Sequence, residues 1–267
     1  MIHPIDAAAG LLACPVCGDP LARDERVLTC RRGHSFDIAR HGYVNLLQGP
    51  APANADTTAM VAARERFLSS GAYQPIADAV LGACAGQDQV AEVGAGPGHY
   101  LSQVVAAHQP SAHLALDISV PAARRAARAG LASVVADTWA GLPITDHALA
   151  AVVCVFAPRN PAEFARTLAP GGKTLVVTPG PEHLGALRER LGLLDVPADK
   201  LDRLDKGMAQ AGLGLAGRTD LDYQVVLDPP LAADLVAMGP NAFHRERSEP
   251  AEPVRVRVQV FLSSYHQ

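Results

Sequence analysis

Two sets of residues in this chain have the types and spacing to do chemistry. The first is Cys14, Cys17, Cys30 and His34, a C-x2-C-x12-C-x3-H run. In a chain read as cytosolic, such spacing predicts a tetrahedral zinc site, with two ligands on a knuckle turn, a short hairpin, then two more. Gly18 directly after the second cysteine suits the knuckle, and Leu28 and Phe36 are the residues available for a small core. So little apolar material cannot hold a module together, so the metal must supply much of the folding energy. The second set is a glycine turn, Glu92-Val-Gly-Ala-Gly-Pro-Gly-His-Tyr100, with Asp117 and Asp137 further on. Glycines at 94, 96 and 98 allow a tight turn whose backbone amides come close to a polar ligand.

The elements around these residues alternate. Val90 to Val93 is an apolar lead-in to the turn, and residues 101–107 read as a helix. Leu114 to Asp117 is a short buried strand, residues 121–129 a helix with Pro121 in its first turn, and Ser133 to Asp137 a third strand. Residues 148–156, 163–168 and 174–178 continue as strand, helix and strand, followed by a helix over 183–194. The last strands are expected over 222–227 and 254–261, the second in strict alternation (VRVRVQVF) as for one buried and one wet face. Upstream, residues 48–58 (QGPAPANADTT) carry two prolines and no apolar periodicity and read as a linker. Residues 60–68 form a helix capped from Asp56, Thr57 or Thr58, and a second helix runs from Tyr73 to Leu81. This order predicts an α/β domain over residues 59–267 with a parallel sheet covered on both faces, after a zinc-binding module (1–48) and a linker (49–58). Ligands of such sheets bind beyond the carboxyl ends of the strands, where the turn, Asp117 and Asp137 all fall.

The turn's spacing selects among ligands. A dinucleotide needs G-x-G-x-x-G, whose third glycine packs beside a pyrophosphate; here that position is His99. S-adenosylmethionine has no pyrophosphate and suits G-x-G-x-G better. Asp117, about 20 residues on, can accept from both ribose hydroxyls, and Asp137 from the adenine amino group. Glu92 can order the turn or reach the methionine ammonium. Cys154, inside the apolar run AAVVCVF, reads as a buried inert thiol.

Composition sets the outer limits. The chain has 267 residues, 49% hydrophobic and 19% charged, which is enough for one large domain plus a small module. No run approaches the roughly 20 apolar residues of a membrane span. The first residues carry neither a basic region nor a long apolar core, so a cytoplasmic protein without a membrane role is expected. A formal charge of −4 argues against a generally adhesive nucleic-acid binder. Any RNA contact needs local basic patches, and two present themselves: Arg31, Arg32 and Arg40 beside the metal ligands, and Arg124, Arg125 and Arg128 on a helix. Residues 1–48 balance five arginines against five acids, so distribution and not net charge would matter there.

Taken together, the motifs resemble class I methyltransferases, and more narrowly the family that methylates N1 of a guanine in large-subunit ribosomal RNA. The resemblance covers nearly the whole chain: CPVC…C…GHSFD followed by ARHGYVNLL, DTTAMVAARERFL…GAYQPI, EVGAGPGHY, LDIS with RRAAR, FAPRNPAEFARTLAPGGKTLVVTPGPEHL, and VAMGPNAFH. It implies zinc on Cys14, Cys17, Cys30 and His34, and cofactor contacts from Tyr73, Gly96, Pro97 and His183. Pro97 stands where some relatives carry an acid. The FAPRN wording points to the type II branch, which includes tylosin- and mycinamicin-resistance proteins and modifies guanine 748 of 23S rRNA; the other branch modifies guanine 745. A homodimer sharing an RNA cleft is implied as well.

The reaction would pass a sulfonium methyl to guanine N1, which bears a hydrogen, so a base or a stabilised O6 is needed. Arg159 and Asn160, at the end of the fourth strand of the sheet, are candidates to donate to O6 and to read a base edge; His99 and His244 are candidate proton acceptors. The zinc module is the expected RNA reader, and a stacked guanine would have to be turned out of its hairpin. Two other classes compete: a small-molecule methyltransferase of the same fold, and a zinc-dependent RNA-binding protein without catalysis. The zinc module argues against the first, and Gly94, Gly96, Gly98, Asp117 and Asp137 against the second.

Overall fold

A computed structural model of the chain describes residues 3–239 and 252–267. His244, one of the candidate proton acceptors, lies outside them. The chain starts with a helix α1 (Pro4–Ala8), capped by the His3 side chain, and then forms three short antiparallel strands, β1 (Ala22–Asp24), β2 (Val27–Thr29) and β3 (Ser35–Asp37). Strand β4 (Tyr43–Asn45) leaves this small sheet and pairs in parallel with the edge of the large one. That strand was not anticipated, because three residues are too few to display a period. After the proline-rich stretch come α2 (Thr58–Ser69), whose N-terminal amides are capped by the Thr57 hydroxyl, and α3 (Gln74–Ala83).

The alternating part follows as expected. It runs β5 (Gln89–Val93), α4 (His99–His108), β6 (Ala112–Asp117), α5 (Val120–Arg128), β7 (Ser133–Val135), β8 (Leu149–Val155), α6 (Pro161–Thr167) and β9 (Leu168–Pro179). Then come α7 (Gly185–Leu191), α8 (Lys200–Gln210), β10 (Gly214–Leu227), α9 (Pro229–Ala237) and β11 (Val254–His266). The large sheet has the order β10-β11-β9-β8-β5-β6-β7-β4. Strands β4 through β9 are parallel, and β11 and β10 close the far edge antiparallel. Strand order reverses between β5 and β8, so the turn after β5 opens into the crevice where such sheets hold ligands.

Alternate residues of each strand feed two cores. Ala91, Val93, Val152, Cys154 and Val176 face one side, where α1, the small sheet, α6 and α8 pack. Val90, Ala151, Val153, Val155, Leu175 and Val177 face the other, against α2, α3, α4, α7 and α9. Leu12, Leu21, Leu28 and Ile38 belong to the same continuous core as Leu114, Leu116 and Val134, so the small sheet is packed onto the large one. Main-chain bonds reinforce this: Ala13 N donates to Pro143 O at 3.0 Å and Thr145 N to Leu11 O at 2.9 Å.

Candidate functional site

In the small sheet, the four expected ligands converge. The donor atoms of Cys14, Cys17, Cys30 and His34 all lie within 4.8 Å of one another, and among the described residues they form the one His/Cys/Asp/Glu cluster of this kind. His34 Nδ1 is 3.5 Å from Cys14 Sγ and 3.3 Å from Cys30 Sγ, and Cys17 Sγ is 3.7 Å from Cys30 Sγ. Bond lengths of about 2.3 Å to sulfur and about 2.0 Å to nitrogen in a tetrahedron imply ligand separations of about 3.5–3.8 Å, so the donor set fits zinc. Two turns set this geometry. Gly18 (φ 76°) donates its amide to Cys14 O at 2.8 Å, and Gly33 (φ 83°) donates to Cys30 O at 3.0 Å, each in a left-handed conformation a side chain resists.

Between α2, α7, α9, the glycine turn and the ends of β5, β6 and β8 lies a cleft of about 720 Å³. Its floor is the turn itself. Gly94 (φ 73°) lies against β8's continuation so tightly that a Cβ there would stand 2.2 Å from Ala157 Cβ. At Gly98 (φ 84°), a Cβ would stand 2.3 Å from Leu131 Cδ1. The turn therefore needs glycine for packing as well as for φ. Glu92, 1% exposed, stands one residue before the end of β5 and accepts from Leu101 N at 3.0 Å, capping the first turn of α4. Burial pushes its carboxyl up to about 8, against the opposing effect of that hydrogen bond. Of the two roles open to it, ordering the turn is the one its contact displays. Asp117 accepts from Gly96 N at 2.7 Å and from Ser119 N at 2.8 Å, so one carboxylate holds the turn and the start of α5 together. Burial raises its pKa as well, with both amide bonds opposing.

The opposite wall is aromatic. Tyr73, fully buried, lies edge-on to Phe67 at 4.8 Å, and its hydroxyl is 3.2 Å from His183 Nε2. His183 is 7% exposed; burial lowers its pKa to about 4, with Arg188 and Lys200 adding to the effect and the Gln259 backbone opposing it. The imidazole is therefore neutral, and its Nδ1 is buried without a hydrogen-bond partner. A cradle of left-handed glycines, a carboxylate at the end of the second strand of the parallel set, and a buried imidazole with a spare nitrogen are together a donor and acceptor set that fits S-adenosylmethionine.

The sequence comparisons agree with these two centres. A zinc-ribbon family model described as "RlmA, N-terminal" matches residues 12–52. The 23S rRNA (guanine(748)-N(1))-methyltransferase of Streptomyces fradiae is 45% identical over 251 residues, covering 91% of this chain and 89% of its own length. A Micromonospora griseorubida protein, provisionally named a 23S rRNA (guanine-N1)-methyltransferase, is 43% identical and covers 95% of this chain and 96% of its own. This chain belongs to the 23S rRNA (guanine-N1)-methyltransferase family. Among solved structures, the methyltransferase bound to the Haloferax volcanii Trm112 activator superposes with a TM-score of 0.54 at 17% identity, over 79% of this chain and 97% of that one. It shares the class I methyltransferase fold.

Within this family member, the remaining expected residues fall in several places. Asp137 does not line the cleft described above. It lies two residues beyond β7, bonds its Oδ1 to Trp139 N at 2.9 Å, and faces a neighbouring cavity of about 550 Å³ between the ribbon's first knuckle and residues 140–146. Arg159 donates to Thr178 Oγ1 at 3.2 Å, and Asn160 caps α6 while donating to Thr138 O at 3.0 Å. Neither lines the cleft, and both have structural partners. His99 does line it, hydrogen-bonded to Gln103 at 3.1 Å, with a pKa lowered by burial. Cys154 is buried, and its thiol, raised to about 12 by burial, donates to the carbonyls of Ala157 and Pro158 at 3.6 Å each.

The arginines regroup. Arg40 donates to His41 Nε2 at 3.1 Å, and Arg128 lies 3.5 Å from His41 Nδ1. Burial and the charges of Arg128, Arg40 and Arg124 hold the pKa of His41 down, so ribbon and α5 share one basic surface. Arg31 is exposed, Arg32 pairs with Asp19 at 3.2 Å, and Arg125 turns to Glu65 at 3.4 Å. Two cleft residues had no role assigned from sequence. Arg64, in the quoted run DTTAMVAARERFL, spans from Asp56 Oδ2 (2.5 Å) to Met238 O (2.7 Å), drawing the proline-rich stretch over the cleft. Phe156, in FAPRN, carries the only other aromatic ring facing Tyr73 and His183 among the described residues of the cleft wall.

Proposed function

We propose that this protein transfers a methyl group from S-adenosylmethionine to N1 of a guanine in a 23S rRNA hairpin, with guanine 748 as the target. The observation that carries this is the pairing, in one packed body, of a Cys3His zinc ribbon with a glycine-turn cleft at the strand-order reversal. A small-molecule acceptor gives the ribbon no purpose. The 45% identity to the guanine-748 enzyme of S. fradiae supports the position of the target. S-adenosylmethionine, when bound, supplies the electrophilic methyl carbon. Tyr73, Gly94, Gly96, Pro97, Gly98, Asp117 and His183 would hold and orient it, with Glu92 fixing the turn. Asp137 would reach the adenine end from the adjoining cavity.

The transfer would form the N1–methyl bond as the sulfonium–carbon bond breaks, and the N1 proton would pass to a nearby acceptor, for which His99 and His244 are proposed. Arg159, Asn160 and His244 are proposed around the target guanine, and His99, like His183, lines the cleft. Arg31, Arg32, Arg40, Arg124, Arg125 and Arg128 are proposed as phosphate contacts, with Arg40, His41, Arg124 and Arg128 acting as one patch. The residue division 1–48, 49–58 and 59–267 then separates reading, spacing and chemistry. A homodimer, a cytoplasmic setting and resistance to tylosin-like macrolides complete the reading; no helix among the described residues is long and apolar enough to cross a membrane. The test is incubation with methyl-labelled S-adenosylmethionine and unmodified 23S rRNA, followed by primer extension. Label in RNA and a reverse-transcription stop at one guanine are expected, because N1 methylation blocks pairing. Label confined to small molecules, or no label, would overturn the proposal.

A further inference from the structure

Phe156 is held in a conformation that its own side chain disfavours. It has φ 54°, a left-handed backbone that a bulky side chain avoids, and it is 40% exposed, with its free surface in the cleft. A bulky residue held this way is over-determined by its surroundings, and such strain gathers where a ligand is handled. Here the restraints are visible. Phe156 N donates to Val177 O at 3.2 Å. The next residue, Ala157, fills the space that a side chain at Gly94 would need. The buried Cys154 thiol donates back to the carbonyls of Ala157 and Pro158. The chain is thus pinned at β8's end, one residue from the glycine turn.

The ring is backed as well as placed. His183 lies at 5.7 Å with a 31° tilt, and Tyr73 at 5.9 Å with a 48° tilt, and these two are joined through the Tyr73 hydroxyl. What is offered to the cleft is a flat apolar surface on a stiff base, the form that binds a heteroaromatic ring by stacking. It stands on the β8 side of the strand-order reversal. The groups suited to the cofactor's ribose, Asp117 and Gly96, stand on the β6 side.

We propose that Phe156 is the stacking platform for the acceptor guanine once that base has been turned out of its hairpin. The inference rests on the guanine-N1 reading above. Stacking on Phe156 would set the base plane beside the turn and leave its N1 edge free to face the methyl donor, while the unstacking energy lost from RNA is partly recovered on the ring.

The test uses the full chain with an unmodified 23S rRNA hairpin transcript and three variants. Phe156→Ala should lower kcat/KM for RNA by roughly 10- to 100-fold, the range of one base–aromatic stack, and leave S-adenosylmethionine affinity within about two-fold of wild type. Phe156→Tyr should restore most of the loss. Phe156→Gly, which accepts the left-handed backbone freely, should lose methylation like the alanine variant while melting no lower than that variant. Wild-type methylation in Phe156→Ala, a parallel loss of cofactor affinity, no rescue by tyrosine, or a melting temperature of Phe156→Gly below that of Phe156→Ala would each overturn the proposal. If wild type itself places no methyl on guanine N1, the reading of the reaction falls; if wild type does so and Phe156→Ala does equally, only the stacking role falls.

Discussion

In the ribbon, four side-chain donors stand within 4.8 Å of one another, while the strands that present them are three residues long. In the cleft, the ligand-facing groups come from β5, β6, β8, four helices (α2, α4, α7 and α9) and a proline-rich segment, and the strands among them are held by buried neighbours on both faces of the sheet. The ribbon depends on its metal as well as on the core it shares with the large sheet, and the cleft depends on its scaffold. Removing a ligand group should therefore destroy the first locally and entirely, whereas the second should answer in proportion to how far its packing is disturbed.

The largest effect expected is at the ribbon. Cys30→Ser leaves three donors, and a structural zinc site that contributes about 10 kcal/mol or more in small modules loses most of that support. The expected outcome is loss of bound zinc, loss of amide protection over β1 to β3 in hydrogen exchange, and a fall in RNA methylation of more than about 100-fold. S-adenosylmethionine binding should stay within a few-fold, since the glycine turn touches none of these residues. Cofactor binding that collapses together with zinc would break the contrast, and would mean that the core shared by Leu12, Leu28 and Leu114 couples the two sites.

The cleft is probed next, through Gly94→Ala. The added Cβ would sit 2.2 Å from Ala157 Cβ and in a left-handed conformation. Overpacking and φ strain together cost about 3 kcal/mol, which for a domain of this size is roughly a 10 °C fall in melting temperature. Cofactor affinity should drop by about ten-fold or more as the turn shifts, with zinc content unchanged. Calorimetry and zinc analysis on the same sample check both halves. A variant that melts as wild type does would show that the strand end yields more easily than its two-sided burial implies.

The same contrast explains what could be read from sequence. The metal ligands were legible because spacing alone brings them together: two turn-borne pairs separated by a hairpin have little freedom. The parallel sheet was legible because its strands announce themselves as short apolar runs between helical segments. Arg64 and Phe156 were not, since their roles depend on which distant elements arrive beside them. Arg64 matters because Asp56 and Met238 come within reach, and Phe156 because Gly94 admits Ala157. Asp137 illustrates the converse. It follows a strand end as expected, yet the loop carries it to a neighbouring cavity, a turn that no period in the sequence specifies. The two arginine patches merged at His41 for the same reason: β4 joins the sheet beside β7, and that brings residues 40–41 against α5.

The smallest effect sharpens the scaffold side of the comparison through pH. Glu92 has a folded pKa raised to about 8 by burial, so its contribution to stability is full below its unfolded value near 4.5 and is lost as pH rises to about 8. His183, lowered to about 4 by burial, works the other way: its contribution is present above its unfolded value near 6.5 and is lost as pH falls toward 4. Between about pH 4.5 and 6.5 the two slopes oppose and nearly cancel. Above 6.5 the Glu92 slope is no longer opposed by His183, and its titration should lower stability by about 2 kcal/mol by pH 8, at 1.36 kcal/mol for each unit. Asp117, also raised by burial, loses stability in the same sense, so the variant is needed to isolate Glu92. Glu92→Gln keeps an acceptor for Leu101 N and removes the titration. Urea midpoints at pH 6.5 and 8.5 should separate clearly further for wild type than for the variant. Parallel falls in both proteins would place the alkaline loss elsewhere, and would mean that the turn's buried carboxylate keeps its charge through contacts other than the one amide it holds.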